Sequence, residues 1–124
     1  MVTKRMSVSG IAAAGTMLAL LSPTPVHAAP RCPAGYVCVY NGINPNTAQA
    51  KVGTYGQPTF WYQPLDHPQR NFSVVNARVT GRVQLKVRWA ATGTEAIWCL
   101  TPGRSTAGPG YVLTAVRIGW SDSC

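Results

Sequence analysis

Four cysteines, Cys32, Cys38, Cys99 and Cys124, constrain this 124-residue chain more than any other feature. What they do depends on the redox space the chain meets, and its first residues bear on that. "MVTKRMSVSG" carries Lys4 and Arg5, an apolar stretch runs from Ile11 to Leu21, and helix-breaking "SPTP" follows. Val26-His27-Ala28 fits a small-x-small cleavage rule, and the apolar stretch is too short to span a bilayer. Residues 1–28 therefore read as a secretory signal peptide, and residues 29–124 as a single secreted domain acting outside the cell. An even cysteine count in a small exported chain reads as two disulfides. All eleven aromatic residues (four Trp, five Tyr, two Phe) also fall after the cleavage site. A domain of this size buries roughly 65% of its unfolded surface. Two disulfides contributing about 2–3.5 kcal/mol each would then be a large part of its net stability.

The other uses of cysteine do not fit. A structural zinc site takes four Cys or His ligands, usually as two close pairs. Here five residues separate Cys32 from Cys38, twenty-four separate Cys99 from Cys124, and His67 is the only histidine after the cleavage site. A redox dithiol is typically Cys-x-x-Cys at a helix N-terminus, whereas "CPAGYVCVY" has the wrong spacing and runs into a strand. Hydrolysis is equally short of parts. A serine triad would have to use His67, whose neighbour Asp66 belongs to a turn-like "LDHP". A glycosidase needs two carboxylates across a cleft, and the chain has only Asp66, Glu95 and Asp122. No enzyme activity, cofactor or metal is expected.

Strand signals dominate after the leader. Tyr36 to Tyr40 is rich in β-formers and runs into Asn41-Gly42, a hairpin signal. "KVGTYG" and Thr59 to Gln63 read as strands interrupted by Gly56 and Pro58. "PLDHPQRN" reads as a polar loop, and "FSVVNARV" as the strand after it. In "RVQLKVRW", Val83, Leu85, Val87 and Trp89 alternate with Arg82, Gln84, Lys86 and Arg88, so a period of two separates a buried from an open face. Glu95 to Leu100 and Tyr111 to Trp120 complete the set, separated by "TPGRSTAGPG", which reads as an exposed loop. Only Asn46 to Val52 suggests a turn of helix. Six to eight short strands without a crossover helix indicate an all-β sandwich or barrel and exclude a parallel α/β sheet. The strands divide into two halves of similar size, Cys32 to Asn76 and Ala77 to Cys124.

With catalysis set aside, binding is left, and two surfaces qualify. Removing Lys4 and Arg5 leaves nine Lys and Arg against three acids, a formal balance of +6. Such an excess favours anionic surfaces, and Arg82, Lys86 and Arg88 form a basic ladder on the open face of one strand. The second surface is the proline-bearing "YGQPTFWYQPLDHPQR", which offers Phe60, Trp61 and Tyr62 between Pro58, Pro64 and Pro68. A stiff loop loses little entropy on docking.

Cys32-x-x-Gly35-x-x-Cys38-x-Tyr40, directly after a signal peptide, resembles the start of a family of secreted actinobacterial peptidase inhibitors, of which the Streptomyces metalloproteinase inhibitor is the namesake. "FSVVN" at Phe72 to Asn76 is similar to the strand that ends that family's first unit. The resemblance implies a small Greek-key β-sandwich of βγ-crystallin type with two disulfides, and inhibition of an extracellular protease by a rigid loop. The calcium-binding stretch of that fold would fall on Arg70, Asn71, Val74 and Val75, three of which are unsuitable. The alternative function is that of a basic killer-toxin-like protein acting on anionic cell-wall or membrane surfaces; nucleic acid is not an expected partner. Four cysteines allow three pairings, of which Cys32–Cys38 and Cys99–Cys124 are expected.

Overall fold

The structure, a computed structural model, describes residues 31–46 and 50–124. The signal-peptide reading of residues 1–28 and much of the helical turn expected at Asn46 to Val52 lie outside the described residues; Lys51 and Val52 themselves are in a strand.

Among the described residues every regular element is a β-strand. They are β1 (Val37–Tyr40), β2 (Lys51–Tyr55), β3 (Gln63–Asn76), β4 (Val83–Trp89), β5 (Glu95–Leu100) and β6 (Ser105–Ile118). All six pair antiparallel in one sheet of order β2-β1-β3-β6-β4-β5. That order reads the same from either edge. A hairpin (β1–β2 or β4–β5) lies outermost, and a 14-residue strand (β3 or β6) pairs with the hairpin's first strand. The division after Asn76 thus separates two units of equal topology. They share one continuous ladder, joined down the middle by β3 and β6.

Alternation in β4 is as the sequence reads. Val83, Leu85 and Val87 are fully buried, whereas Arg82, Gln84, Lys86 and Arg88 are half-buried on the other face. Trp89 departs from the pattern, standing at the rim 38% exposed. The β4 residues meet Val37 and Val39 of β1, Leu65, Phe72 and Val74 of β3, Leu100 of β5, and Leu113, Val116 and Ile118 of β6 in one core. Buried residues from five strands share that core, with Tyr55 of β2 packed against it, because the sheet curls over itself in a sandwich-like way. The curl is built where β3 and β6 cross. Asn71 (φ 53°) and Gly110 (φ 81°) both take left-handed backbone there, and Gly110 N–H donates to Asn71 Oδ1 at 2.7 Å. The ladder shifts register at this point, as a bulge requires.

Two expected loops are strand. "PLDHPQRN" belongs to β3: Gln63 and Pro64 pair with Val116 and Ala115, and Gln69 and Arg70 with Leu113 and Val112. The residues between bulge outward, which removes Pro68 from the ladder and leaves Asp66 and His67 exposed while Leu65 turns into the core. "TPGRSTAGPG" forms a turn only at 101–104. Ser105, Thr106, Ala107 and Gly108 pair with Val75, Val74, Ser73 and Phe72. Gly108 is required because a Cβ there would run into the Phe72 ring. Conversely, Thr59 to Tyr62 is a loop, and β3 begins at Gln63. The β1–β2 connection spans 41–50 rather than a two-residue turn, closed by Asn41 Oδ1 accepting Ala50 N–H at 3.0 Å.

Asn76 plugs the junction of the two halves. It is fully buried, and its Nδ2 donates to Gly81 O and Leu100 O, each at 3.1 Å. Its Oδ1 accepts Arg78 N–H at 3.2 Å. The disulfides pair as expected, Cys32–Cys38 at the entrance to β1 and Cys99–Cys124 from β5 to the last described residue. The first closes against buried Tyr40 and partly buried Val75.

Candidate recognition surface

The loop from Gly56 to Tyr62 joins β2 to β3, and its course is dictated by what it lies on. Pro58 bridges to Ile118, and Thr59 N–H donates to Ile118 O at 3.1 Å. Thr59 Oγ1 donates to Trp61 O at 2.7 Å, and Arg117 Nη1 donates to Phe60 O at 3.2 Å. Each backbone group fixed in this way removes freedom that docking would otherwise have to remove. Pinned below, the loop turns two aromatic side chains outward, with Phe60 80% and Trp61 64% exposed. Phe60 stacks on Trp120 at 4.5 Å between ring centroids, and Trp120 is itself 59% exposed. The stacked Phe60 and Trp120 rings and the neighbouring Trp61 are all exposed, and such a concentration of exposed apolar surface marks an interaction site.

Tyr62 points back onto the sheet. Lys86 Nζ and Arg117 Cζ each lie 4.9 Å from its ring centroid, within cation–π range. Arg117 is held in place by Gln84, whose Oε1 accepts from both its Nε and its Nη2. The two surfaces read separately in the sequence are thus one surface, joined through Tyr62. The basic ladder is less bare than its spacing suggests. Arg88 lies directly across from Glu95 in the β4–β5 register. Arg82 donates to Ser123 O at 3.0 Å and sits in the corner where Asp122 Oδ1 accepts Gly81 N–H. Lys86 and Arg117 instead converge on the neutral Tyr62 ring.

Arg117 and Trp120 carry no distinguishing signal in the sequence. Both fall in "VRIGW", where alternation places Arg117 outward, but nothing local says that the β2–β3 loop folds over it. Elsewhere, an aromatic row runs outward from the core. Phe72 lies 6.0 Å from Trp98, Trp98 4.7 Å from Tyr111, and Tyr111 4.8 Å from Trp89. It ends in a groove of about 320 Å³ beside Thr92, Thr94 and Ala96. A larger hollow of about 460 Å³ opens between Trp98, Leu100 and Arg104. No cluster of catalytic groups lines either hollow.

Among the described residues no group of three or more His, Cys, Asp or Glu stands together as a metal site. No described helix is long and apolar enough to cross a membrane. The two disulfides are compatible with an oxidising, extracellular setting. Burial, and then the Asp66 charge, hold the Tyr55 hydroxyl above its ordinary pKa, and burial does the same for Tyr40. Compared with known proteins, the chain matches no family model, no curated protein and no solved structure.

Proposed function

We propose that this protein is a secreted, non-catalytic inhibitor of an extracellular peptidase that acts through the Phe60–Trp61 loop. The carrying observation is a loop fixed from beneath by Ile118 and Arg117 that presents adjacent exposed aromatic side chains. An endopeptidase cleft that accepts an extended, aromatic segment would take this loop as it takes substrate. Turnover is opposed by the same pins. The carbonyl an enzyme would attack at Phe60–Trp61, Phe60 C=O, already accepts Arg117 Nη1. It is thereby held from an oxyanion hole, whose donors must reach that oxygen. The resemblance to actinobacterial peptidase inhibitors and their βγ-crystallin-type Greek keys supports the same reading. The test is titration of the oxidised domain against a panel of secreted metallo- and serine endopeptidases. Stoichiometric inhibition of one of them, lost about thirtyfold or more in Phe60→Ala or Trp61→Ala, is the expected result. No inhibition across the panel, or inhibition unchanged by both substitutions, overturns the reading.

A second reading, contact with an anionic cell-wall or membrane surface, draws on Lys86 and Arg117 around Tyr62. It requires binding to an acidic polymer that weakens with salt and with Lys86→Gln. The acids beside Arg82 and Arg88 make this the weaker of the two.

A further inference from the structure

Residues 119–124 make a strap at one end of the sheet that continues directly from Arg117 and Ile118, two of the residues that pin the recognition loop. Gly119 N–H donates to Arg82 O at 2.8 Å, and Arg82 N–H donates to Ser121 O at 2.8 Å. Asp122 Oδ1 accepts Gly81 N–H at 2.6 Å, and Arg82 Nη1 donates to Ser123 O at 3.0 Å. The far end is bolted to edge strand β5 by Cys99–Cys124. Between these anchors stands Trp120, on whose ring Phe60 rests. Ile118, which receives Thr59 N–H, is the residue before the strap begins.

The two disulfides differ in the access they give to a reductant. Cys38 is fully buried, and Cys32 is packed beside Tyr40 and Val75. Cys99 and Cys124 are both exposed. Thiol–disulfide exchange requires an attacking thiolate to reach a sulfur, so the outer bond opens first. Its loss cuts the strap loose from β5 without touching a core side chain, because the strap contributes none to the core.

We infer that Cys99–Cys124 is a reducible latch on the recognition loop, with Trp120 as its positioning residue: the oxidised strap holds Phe60–Trp61 in the presenting conformation, and reduction releases them from a sheet that stays folded. The inference deepens the loop reading above and names its control. The co-reactant is an external dithiol. One of its thiolates attacks a latch sulfur to form a mixed disulfide, and its second thiol then displaces the cysteine to close the reductant's own disulfide. Two electrons and two protons pass to Cys99 and Cys124, which leave as thiols.

The test uses the oxidised domain with dithiothreitol as the probe, titrated upward, with alkylation and peptide mapping to show which bond has opened. Amide hydrogen exchange then reads Thr59, bonded to Ile118 O, against core amides of β3 and β6. At the dose that opens only Cys99–Cys124, Thr59 exchange is expected to rise about tenfold or more, while the core amides keep their protection. In the oxidised protein Trp120→Ala is expected to raise Thr59 exchange in the same direction, and Trp120→Phe to restore it, since a ring is what Phe60 rests on. Trp120 is exposed, so both variants leave the core intact. The latch is overturned if Cys32–Cys38 opens first, if Thr59 exchange is unchanged once Cys99–Cys124 is open, or if loop and core lose protection together. Inhibition that persists undiminished after selective reduction removes the latch and leaves the inhibitor; a working latch in a protein that inhibits nothing removes the inhibitor and leaves the latch.

Discussion

Asn76 is the one polar side chain whose loss should cost this fold most. It is fully buried at the junction of the two halves, and its amide reaches Gly81 O and Leu100 O while its oxygen holds Arg78 N–H. In Asn76→Ala three hydrogen bonds disappear. Two carbonyls and one N–H then lose a partner at a site with little water to replace it. An unsatisfied buried group costs about 1–3 kcal/mol. Both carbonyls retain a second lone pair, so the low end applies to each, and a total of about 2–4 kcal/mol is expected. Domains of this size are stable by about 5–15 kcal/mol, so the loss is a large fraction of the whole. Urea unfolding followed by Trp fluorescence measures it: with a slope of about 1–2 kcal/mol/M, the midpoint should fall by about 1–4 M. Asn76→Asp sharpens the test. It keeps the shape but turns a carboxylate oxygen toward two carbonyls, so its folded-state pKa rises. That contribution is present below the unfolded carboxyl pKa and is lost as pH rises through the folded one. Asn76→Asp should therefore be least stable near neutral pH and recover in mild acid. A loss under 1 kcal/mol for Asn76→Ala, or an Asn76→Asp protein with the wild-type pH profile, would refute the assignment of Asn76 as the junction plug.

Further expectations follow from the same contacts. Gly81 has φ +86°, and a Cβ there would lie 2.7 Å from Gly119 O, so Gly81→Ala should lower the urea midpoint by more than a typical surface change. Phe72→Ala should cost about 3–5 kcal/mol in the same assay, because its ring fills the core against Gly108 and Trp98. Tyr55 and Tyr40 both have raised hydroxyl pKa values. The unfolded chain then ionises first as pH rises past about 10, and stability should fall from there upward while staying flat between pH 7 and 9 on their account, as thermal melts across that range would show. Lys86→Gln should lower stability by about 0.5–2 kcal/mol, since a cation–π contact is worth about 0.5–1 when exposed and about 2 when desolvated, and Lys86 is half-buried.

Much of the fold is legible in the sequence because its signals are local. Alternation from Val83 to Trp89 marks β4 and its buried face. The β-rich runs at Tyr36 to Tyr40 and Glu95 to Leu100 give β1 and β5 nearly to the residue. Two stretches whose composition reads as loop, "PLDHPQRN" and "TPGRSTAGPG", are strand in the structure for one reason. Pro64, Pro68 and Pro109, with Gly108 and Gly110, are turn formers by composition, but here they sit in or beside bulges of the β3–β6 pair. A bulge tolerates a missing N–H or a left-handed residue only because a distant strand supplies the rest of the ladder.

The candidate site divides in the same way. Phe60, Trp61, Tyr62, Arg82, Lys86 and Arg88 are visible as residue types, yet as two unrelated surfaces twenty or more residues apart. Their union needs Arg117, which binds Gln84, Phe60 O and the Tyr62 ring at once, and Trp120, which carries Phe60. By itself the sequence determined an all-β, basic chain with cysteines enough for two disulfides, because composition, spacing and period-two patterning are properties of neighbouring residues. Which loop is held rigid, which bases stand beside acids and which disulfide is open to solvent were decided by the tertiary structure alone. The first and last depend on β6 returning to the middle of the sheet between β3 and β4, and no local pattern encodes that return.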